Sequence, residues 1–263
     1  MNQPEFSATG MVTLTTDFGV SDPYVGVMKA VLLGRNPVAQ IIDLSHAIPA
    51  FQPAVAGFWL ARCWRYFPAG TVHLAVVDPG VGTERGMVAL ILAGQVFVAP
   101  DNGLLEPLLD SGEAAVWREF RAADLPASNL PKASATFHGR DIFAPLVADI
   151  SANRLSPYQL GQGREIPPRI PRSPNQGCIV AVDHYGNLIT DIGAECLNKL
   201  QRPALRFRDQ QIRIVETYGS GTPGQVIALA NSWGVMEIAQ VQGNAAAHWQ
   251  AVVGESVSVA SSN

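Results

Sequence analysis

The chain reads as two domains of different class. Residues 1–163 form an N-terminal α/β domain with a central, mostly parallel sheet flanked by helices, and residues 178–263 form a C-terminal all-β domain. Three observations predict this. Over the first 150 residues strand-like and helix-like segments alternate, which is the pattern of βαβ units. Residues 164–177, REIPPRIPRSPNQG, concentrate proline, charge and turn residues, a linker composition. Beyond them come short apolar strands divided by turn residues, with no long helical period.

The elements follow in order. MVTLTTD is a strand ending at Asp17. DPYVGVMKAVLLGRN is a helix starting near Asp22, with Pro23 in its first turn, where a missing N–H costs nothing. QIIDLSH is the second strand, and FQPAVAGFWLARCWRYF repeats its apolar residues at helical spacing. TVHLAVVD runs almost continuously apolar, as a strand covered on both faces does. MVALILAG and QVFVAPD form a hairpin. LLEPLLDSG is a short helix closed by Ser111 and Gly112, and GRDIFAPLVADISAN is another helix. In the second domain the strands are CIVAVD, NLITDI, ALRFR, QIRIVE, QVIALA, MEIAQV and QAVVGESVSV.

Composition narrows the function. The 263 residues are 48% hydrophobic and 15% charged, enough apolar material for a sizeable core. The net charge is −4 and no Lys/Arg cluster stands out, so nucleic acid is not an expected partner. No apolar run reaches the ~18–20 residues that span a bilayer, so no membrane partner is expected either. MNQPEFSATG lacks the basic and apolar regions of a signal peptide. Cys63, Cys178 and Cys196 follow no metal or disulfide spacing. A cytoplasmic protein with buried, reduced thiols is expected.

Three strands end alike: TTDFG delivers Asp17, VVDPG delivers Asp78 and APDNG delivers Asp101 with Asn102. Asp and Asn favour turns on their own account. Yet open α/β sheets bind ligands outside the carboxyl ends of their strands, and three such residues point to one acidic rim. His138, in ATFHGRDIF, precedes a helix opening with Arg140 and Asp141. A histidine with a carboxylate and an arginine nearby can hold and polarise a water molecule. His46, His73, His184 and His248 have no comparable company. In the second domain VDHYGNLIT sets Asp183, Tyr185 and Asn187 about a turn, and NSWGVMEIA sets Asn231, Ser232 and Glu237 similarly.

The strings TTDFG, YVGVMK, FPAGTVHLAVVDPGVGTERG, APDNG, TFHGRDIFAP and VDHYGN, in this order, resemble the S-adenosylmethionine (SAM) hydroxide adenosyltransferases. These are hydrolytic relatives of the SAM-dependent fluorinase and chlorinase. The resemblance covers roughly residues 11 to 250. It implies a C-terminal domain that is barrel-like, a homotrimer with sites at subunit interfaces, and cleavage of SAM by water to adenosine and L-methionine. SAM is then the small-molecule substrate, and no cofactor and no metal are implied. The family's catalytic residues fall on Asp78, Arg85 and His138. Asp17 and Asp78 fall among its substrate contacts, with Asp17 on the ribose hydroxyls. Asp183 falls on the methionine ammonium, Ser232 near its carboxylate and Asn187 on the adenine edge, and Glu237 is a looser candidate nearby. The chain departs from the halogenases at Trp233, where they carry an arginine, and from many relatives at Gly86.

The chemistry suits these residues. A sulfonium is already a good leaving group, so the displacement at C5′ needs alignment and a dry pocket more than a metal. A halogenase would want small neutral donors around its anion, which a carboxylate at Asp78 would repel. A metal-dependent phosphatase or nucleotidase could use Asp17, Asp78, Asp101, Asn102 and His138 as an oxygen-rich cation site. A sensor that binds SAM or adenosine would have no use for a water-activating set.

Overall fold

The computed structural model describes residues 6–125, 133–166 and 173–261. Two compact units divide the chain, Met1–Pro167 and Pro168–Asn263.

The first unit begins β1 (Met11–Thr16), α1 (Tyr24–Arg35), β2 (Gln40–Ser45), α2 (Pro53–Cys63) and β3 (Val72–Val76). It continues with β4 (Met87–Leu92), β5 (Gln95–Pro100), β6 (Ala115–Phe120), α3 (Ala144–Ser151) and β7 (Gln162–Arg164). Its seven-stranded sheet has the order β2-β1-β3-β5-β4-β6-β7. Strands β2, β1, β3 and β5 are mutually parallel, and the β4, β6 and β7 pairings are antiparallel. All five residues of β3 are buried. Val72, Leu74 and Val76 pack with Met28 and Leu32 of α1 and Leu146 and Val147 of α3. On the opposite face His73 stacks on Phe97, ring centroids 4.5 Å apart, and bonds Thr13 Oγ1 at 2.7 Å and Gln95 Oε1 at 2.6 Å.

Two strands escape the sequence pattern. In AVWREF (β6), Arg118 and Glu119 interrupt the apolar alternation, and Glu and Ala are poor strand formers. Pairing along the whole of β4 supplies the order that propensity lacks. β7 is a three-residue edge paired to β6, and its last residue, Arg164, is the first of the predicted linker. Residues 167–172 of that linker lie outside the described residues, and Gln176 and Gly177 already belong to β8.

Three predicted helices are modified. α2 ends at Cys63, and Trp64–Tyr66 is a separate 3₁₀ turn. LLEPLLDSG contains a 3₁₀ helix over Glu106–Ser111. The helix after His138 opens as a wide π turn over Gly139–Phe143, closed by the Ala144 N–H on the Gly139 carbonyl. Pro145 explains this opening: it has no N–H for the Asp141 carbonyl, and its ring would crowd that oxygen in a regular α-helix.

The second unit contains β8 (Gln176–Val182), β9 (Leu188–Gly193), β10 (Pro203–Phe207), β11 (Gln210–Arg213), β12 (Val226–Ala230) and β13 (Val235–Gln240). A five-residue helix α4 (Ala245–Trp249) and β14 (Ser256–Ser261) follow. QAVVGESVSV is therefore a strand only from Ser256 onward. The antiparallel sheet has the order β11-β10-β14-β8-β9-β13-β12. Its two edges meet where the Val215 N–H donates to the Ala228 carbonyl at 2.8 Å, so it curls into a nearly closed barrel. Inside it lie Leu188, Leu205, Phe207, Met236 and Ile238.

Candidate active site

Because β1, β3 and β5 are parallel, Asp17, Asp78 and Asp101 all sit at one rim of the first sheet. The antiparallel β4 starts at that same rim. The segment from Asp78 to Gly86 therefore leaves β3, passes the end of β5 and enters β4. Arg85 closes this path: its Nε donates to Asp78 Oδ1 at 2.9 Å and its Nη2 to Asp78 Oδ2. The two side chains are 11% and 5% exposed, so the pair is shielded from water. The Asn102 Nδ2 donates to the Val77 carbonyl at 2.8 Å and pins the strand end that carries Asp78.

His138 completes the group. Arg85 Nη2 also lies 3.1 Å from His138 Nδ1. A guanidinium only donates, so Nδ1 accepts and the ring proton sits on Nε2. Burial, and then the Arg85 charge, push the His138 pKa below its ordinary value, against the pull of Asp78 and Asp141. The imidazole is thus neutral at pH 7. Its sequence neighbours Arg140 and Asp141 bond each other, with Arg140 Nη2 on Asp141 Oδ2 at 2.8 Å. The Ser134 N–H also donates to Asp141, which fixes the loop leading into His138.

Gly82 lets the two loops meet. Its φ is +80°, and a Cβ there would stand 2.4 Å from the Ala135 carbonyl oxygen. Gly82→Ala is expected to destabilise the protein by about 1–3 kcal/mol, read by denaturant unfolding. By moving Arg85 relative to His138 it should also lower turnover about 10–100-fold.

The acidic rim is less uniform than the sequence implied. Asp101 is held by Arg164 Nη1, 2.8 Å from both its oxygens. With Asp78 on Arg85 as well, two of the three carboxylates at this rim are engaged by guanidinium groups. Among the described residues no cluster of three His, Cys, Asp or Glu side chains is placed to hold a metal ion. Asp17 has a different kind of partner: its Oδ2 accepts the Phe51 N–H at 3.0 Å. Phe51 has φ +64°, which costs a non-glycine residue roughly 1–3 kcal/mol. That strain aims the N–H at the carboxylate, and no sequence signal announces it.

In the second unit Asp183 Oδ1 accepts the Tyr185 and Asn187 N–H groups, each at 2.9 Å, and Oδ2 accepts Asn187 Nδ2 at 2.9 Å. Asn187 is buried with its amide nitrogen engaged, so its carbonyl oxygen is the end it can offer. Glu237 is buried and held by Tyr218 Oη at 2.6 Å and Asn231 Nδ2 at 3.1 Å. Burial raises its pKa, and the negative charge of Asp183 adds to this. Both Glu237 oxygens thus have partners within the unit. Tyr218, which no sequence pattern singled out, is one of them. Ser232 is exposed on the turn between β12 and β13, beside Trp233.

A carboxylate and guanidinium shielded from water, in contact with a neutral imidazole at the ligand-binding rim of an α/β sheet, on a chain whose second unit is β-barrel-like, are the kind of group from which acid–base enzymes are built. Residues 12–161 match the SAM hydroxide adenosyltransferase N-terminal domain, and residues 177–258 match the corresponding C-terminal domain. The chain belongs to the SAM hydroxide adenosyltransferase family. It is 37% identical over 254 residues to an (R)-S-adenosyl-L-methionine hydrolase of Thermus thermophilus, covering 89% of this chain and 93% of that one. A fluorinase of Actinoplanes sp. is more distant, at 25% identity over 72% of this chain and 74% of its own. The crystal structure of an uncharacterized conserved protein from Thermotoga maritima superposes with a TM-score of 0.84 at 32% identity, covering 95% of this chain and all of that one.

Proposed function

We propose that this enzyme cleaves S-adenosyl-L-methionine with water to give adenosine and L-methionine, and that the (R)-sulfonium epimer is the preferred form. The observation that carries the reaction is the Asp78–Arg85–His138 contact set; the name of the Thermus relative supports the substrate and its epimer. Water attacks C5′ in line with sulfur. The C5′–O bond forms as the C5′–S bond breaks, and its electron pair neutralises the sulfonium. Asp78 takes the proton that water releases, because the His138 Nδ1 lone pair already accepts from Arg85. The His138 Nε2–H orients the water, and Arg85 keeps the Asp78 carboxylate aimed through its two-pronged bond.

In the same reading Asp17 takes the ribose hydroxyls, Asn187 offers its carbonyl oxygen to the adenine amino group, and Asp183 faces the ammonium. Ser232 serves the methionine carboxylate, and Glu237 supports the site through Tyr218 and Asn231. No metal or cofactor takes part, and the protein works in the cytoplasm as a homotrimer with sites at subunit interfaces. The trimer and the absence of metal and cofactor rest on the family resemblance, and the location on the cysteine pattern. Among the described residues no helix is long and apolar enough to cross a membrane.

Incubating the EDTA-treated protein with (R)-SAM in ¹⁸O-labelled water tests the reading. Adenosine labelled at its 5′ oxygen, together with methionine, is the expected result. A 5′-halo-adenosine formed only with halide would replace the hydrolase with a halogenase. Retained ligand without turnover would make the protein a sensor.

A further inference from the structure

His46 has company that the sequence did not suggest. It is buried at the carboxyl end of β2, 6% exposed, and its Nδ1 lies 2.8 Å from Thr16 Oγ1. Its Nε2 is 3.0 Å from Asp43 Oδ1, and Asp43 is paired in turn with Lys29 of α1, Nζ to Oδ2 at 2.6 Å. Thr16 Oγ1 also accepts the Phe18 N–H at 3.2 Å, and the His46 carbonyl accepts the Gly19 N–H at 2.8 Å. The Thr16 hydroxyl and His46 Nδ1 share one hydrogen bond, while Nε2 lies 3.0 Å from Asp43 Oδ1 without the alignment of a hydrogen bond. A chain of polar contacts runs from Lys29 through Asp43, His46 and Thr16 to the backbone on either side of Asp17. The Phe51 N–H bonds the Asp17 carboxylate itself at 3.0 Å.

Thr16 is fully buried and cannot act as a nucleophile, so this Thr–His–Asp arrangement is not a second catalytic centre. It does what buried polar networks do well, which is to specify one geometry. We propose that His46 is a positioning residue that holds the Asp17 turn so that its carboxylate meets both ribose hydroxyls. The proposal rests on the reading of Asp17 as the ribose ligand.

The ratio of adenosine to 2′-deoxyadenosine affinity isolates this role, because it reports one hydroxyl and is insensitive to a general loosening of the fold. Titration calorimetry on the full chain supplies it for Asp17→Ala, His46→Ala, His46→Asn and Thr16→Val. The unaltered protein is expected to prefer adenosine. His46→Ala should lower that preference about fivefold or more, the size of a displaced hydrogen bond. His46→Asn, whose side-chain oxygen can take the place of Nδ1, should restore much of it. Thr16→Val, nearly isosteric, should match His46→Ala and serves where the alanine variant does not fold. The double variant His46→Ala/Asp17→Ala should discriminate no worse than Asp17→Ala alone, the non-additivity of groups acting through one contact. If Asp17→Ala abolishes the preference while His46→Ala and Thr16→Val keep it, the positioning role is overturned. If Asp17→Ala itself keeps the preference, or if the unaltered protein shows none, the ribose reading falls and the proposal falls with it.

Discussion

Replacing Asp78 with asparagine is expected to lower kcat by about 10²–10⁴-fold while KM changes by only a few fold. The substitution keeps the shape of the side chain and removes the oxygen that, in the proposed mechanism, accepts the proton of the attacking water. It also leaves Arg85 with a neutral partner in a site where the two groups are 11% and 5% exposed. The guanidinium can then turn wholly to His138 Nδ1, so the imidazole stays neutral and oriented but cannot replace the lost carboxylate as base. Steady-state kinetics with (R)-SAM separate this from a binding defect, and adenosine affinity should be nearly unchanged. A variant that keeps its turnover would move the base elsewhere. Equal losses of binding and turnover would make Asp78 chiefly a substrate ligand.

The second large effect concerns stability. His73 is enclosed between β1 and β5, stacked on Phe97 and bonded to Thr13 and Gln95. Burial lowers its pKa from 6.5 to about 4, against a smaller opposing effect of the Gln95 bond. Between those two values the unfolded chain binds a proton that the folded chain refuses. Stability is therefore full above the ordinary histidine range and falls as pH drops through 6.5 toward 4. The gap converts to roughly 3 kcal/mol at about 1.4 kcal/mol for each pH unit. Urea unfolding at pH 7 and at pH 4 should show this loss in the natural protein. A His73→Gln variant, which cannot take the proton, should lose less stability over the same interval by about that amount. Equal pH dependence in the two proteins would show that His73 does not titrate in this window.

The sequence carried most of the architecture, and the physical reason is visible in β3. A strand covered on both faces must be apolar throughout, and VHLAV is buried at every position and apolar at all but the one histidine, which brings its own partners. Asp17, Asp78 and Asp101 could be set on one rim because parallel strands share an end. Their partners were less legible. That Arg85 turns back to Asp78 depends on a seven-residue path around β5, and that it reaches His138 depends on Gly82 approaching Ala135. Charge makes β6 look like a loop, and β7 is too short for any period to show. His46 seemed isolated because Thr16 lies thirty positions away, although Asp43 at i,i−3 was the available hint. A left-handed Phe51 has no compositional signature at all.

The β3-β5-β4 strand order bears on how the protein assembles. Asp78 and Arg85 are seven residues apart, yet the strands that carry them are separated by one synthesised after both. The guanidinium is aimed only once β5 has threaded between β3 and β4. Arg85→Ala is therefore expected to leave the folding rate nearly untouched, which the folding arm of a denaturant chevron reads. An interaction completed that late acts on the unfolding rate, so the same variant should shorten the life of the native state.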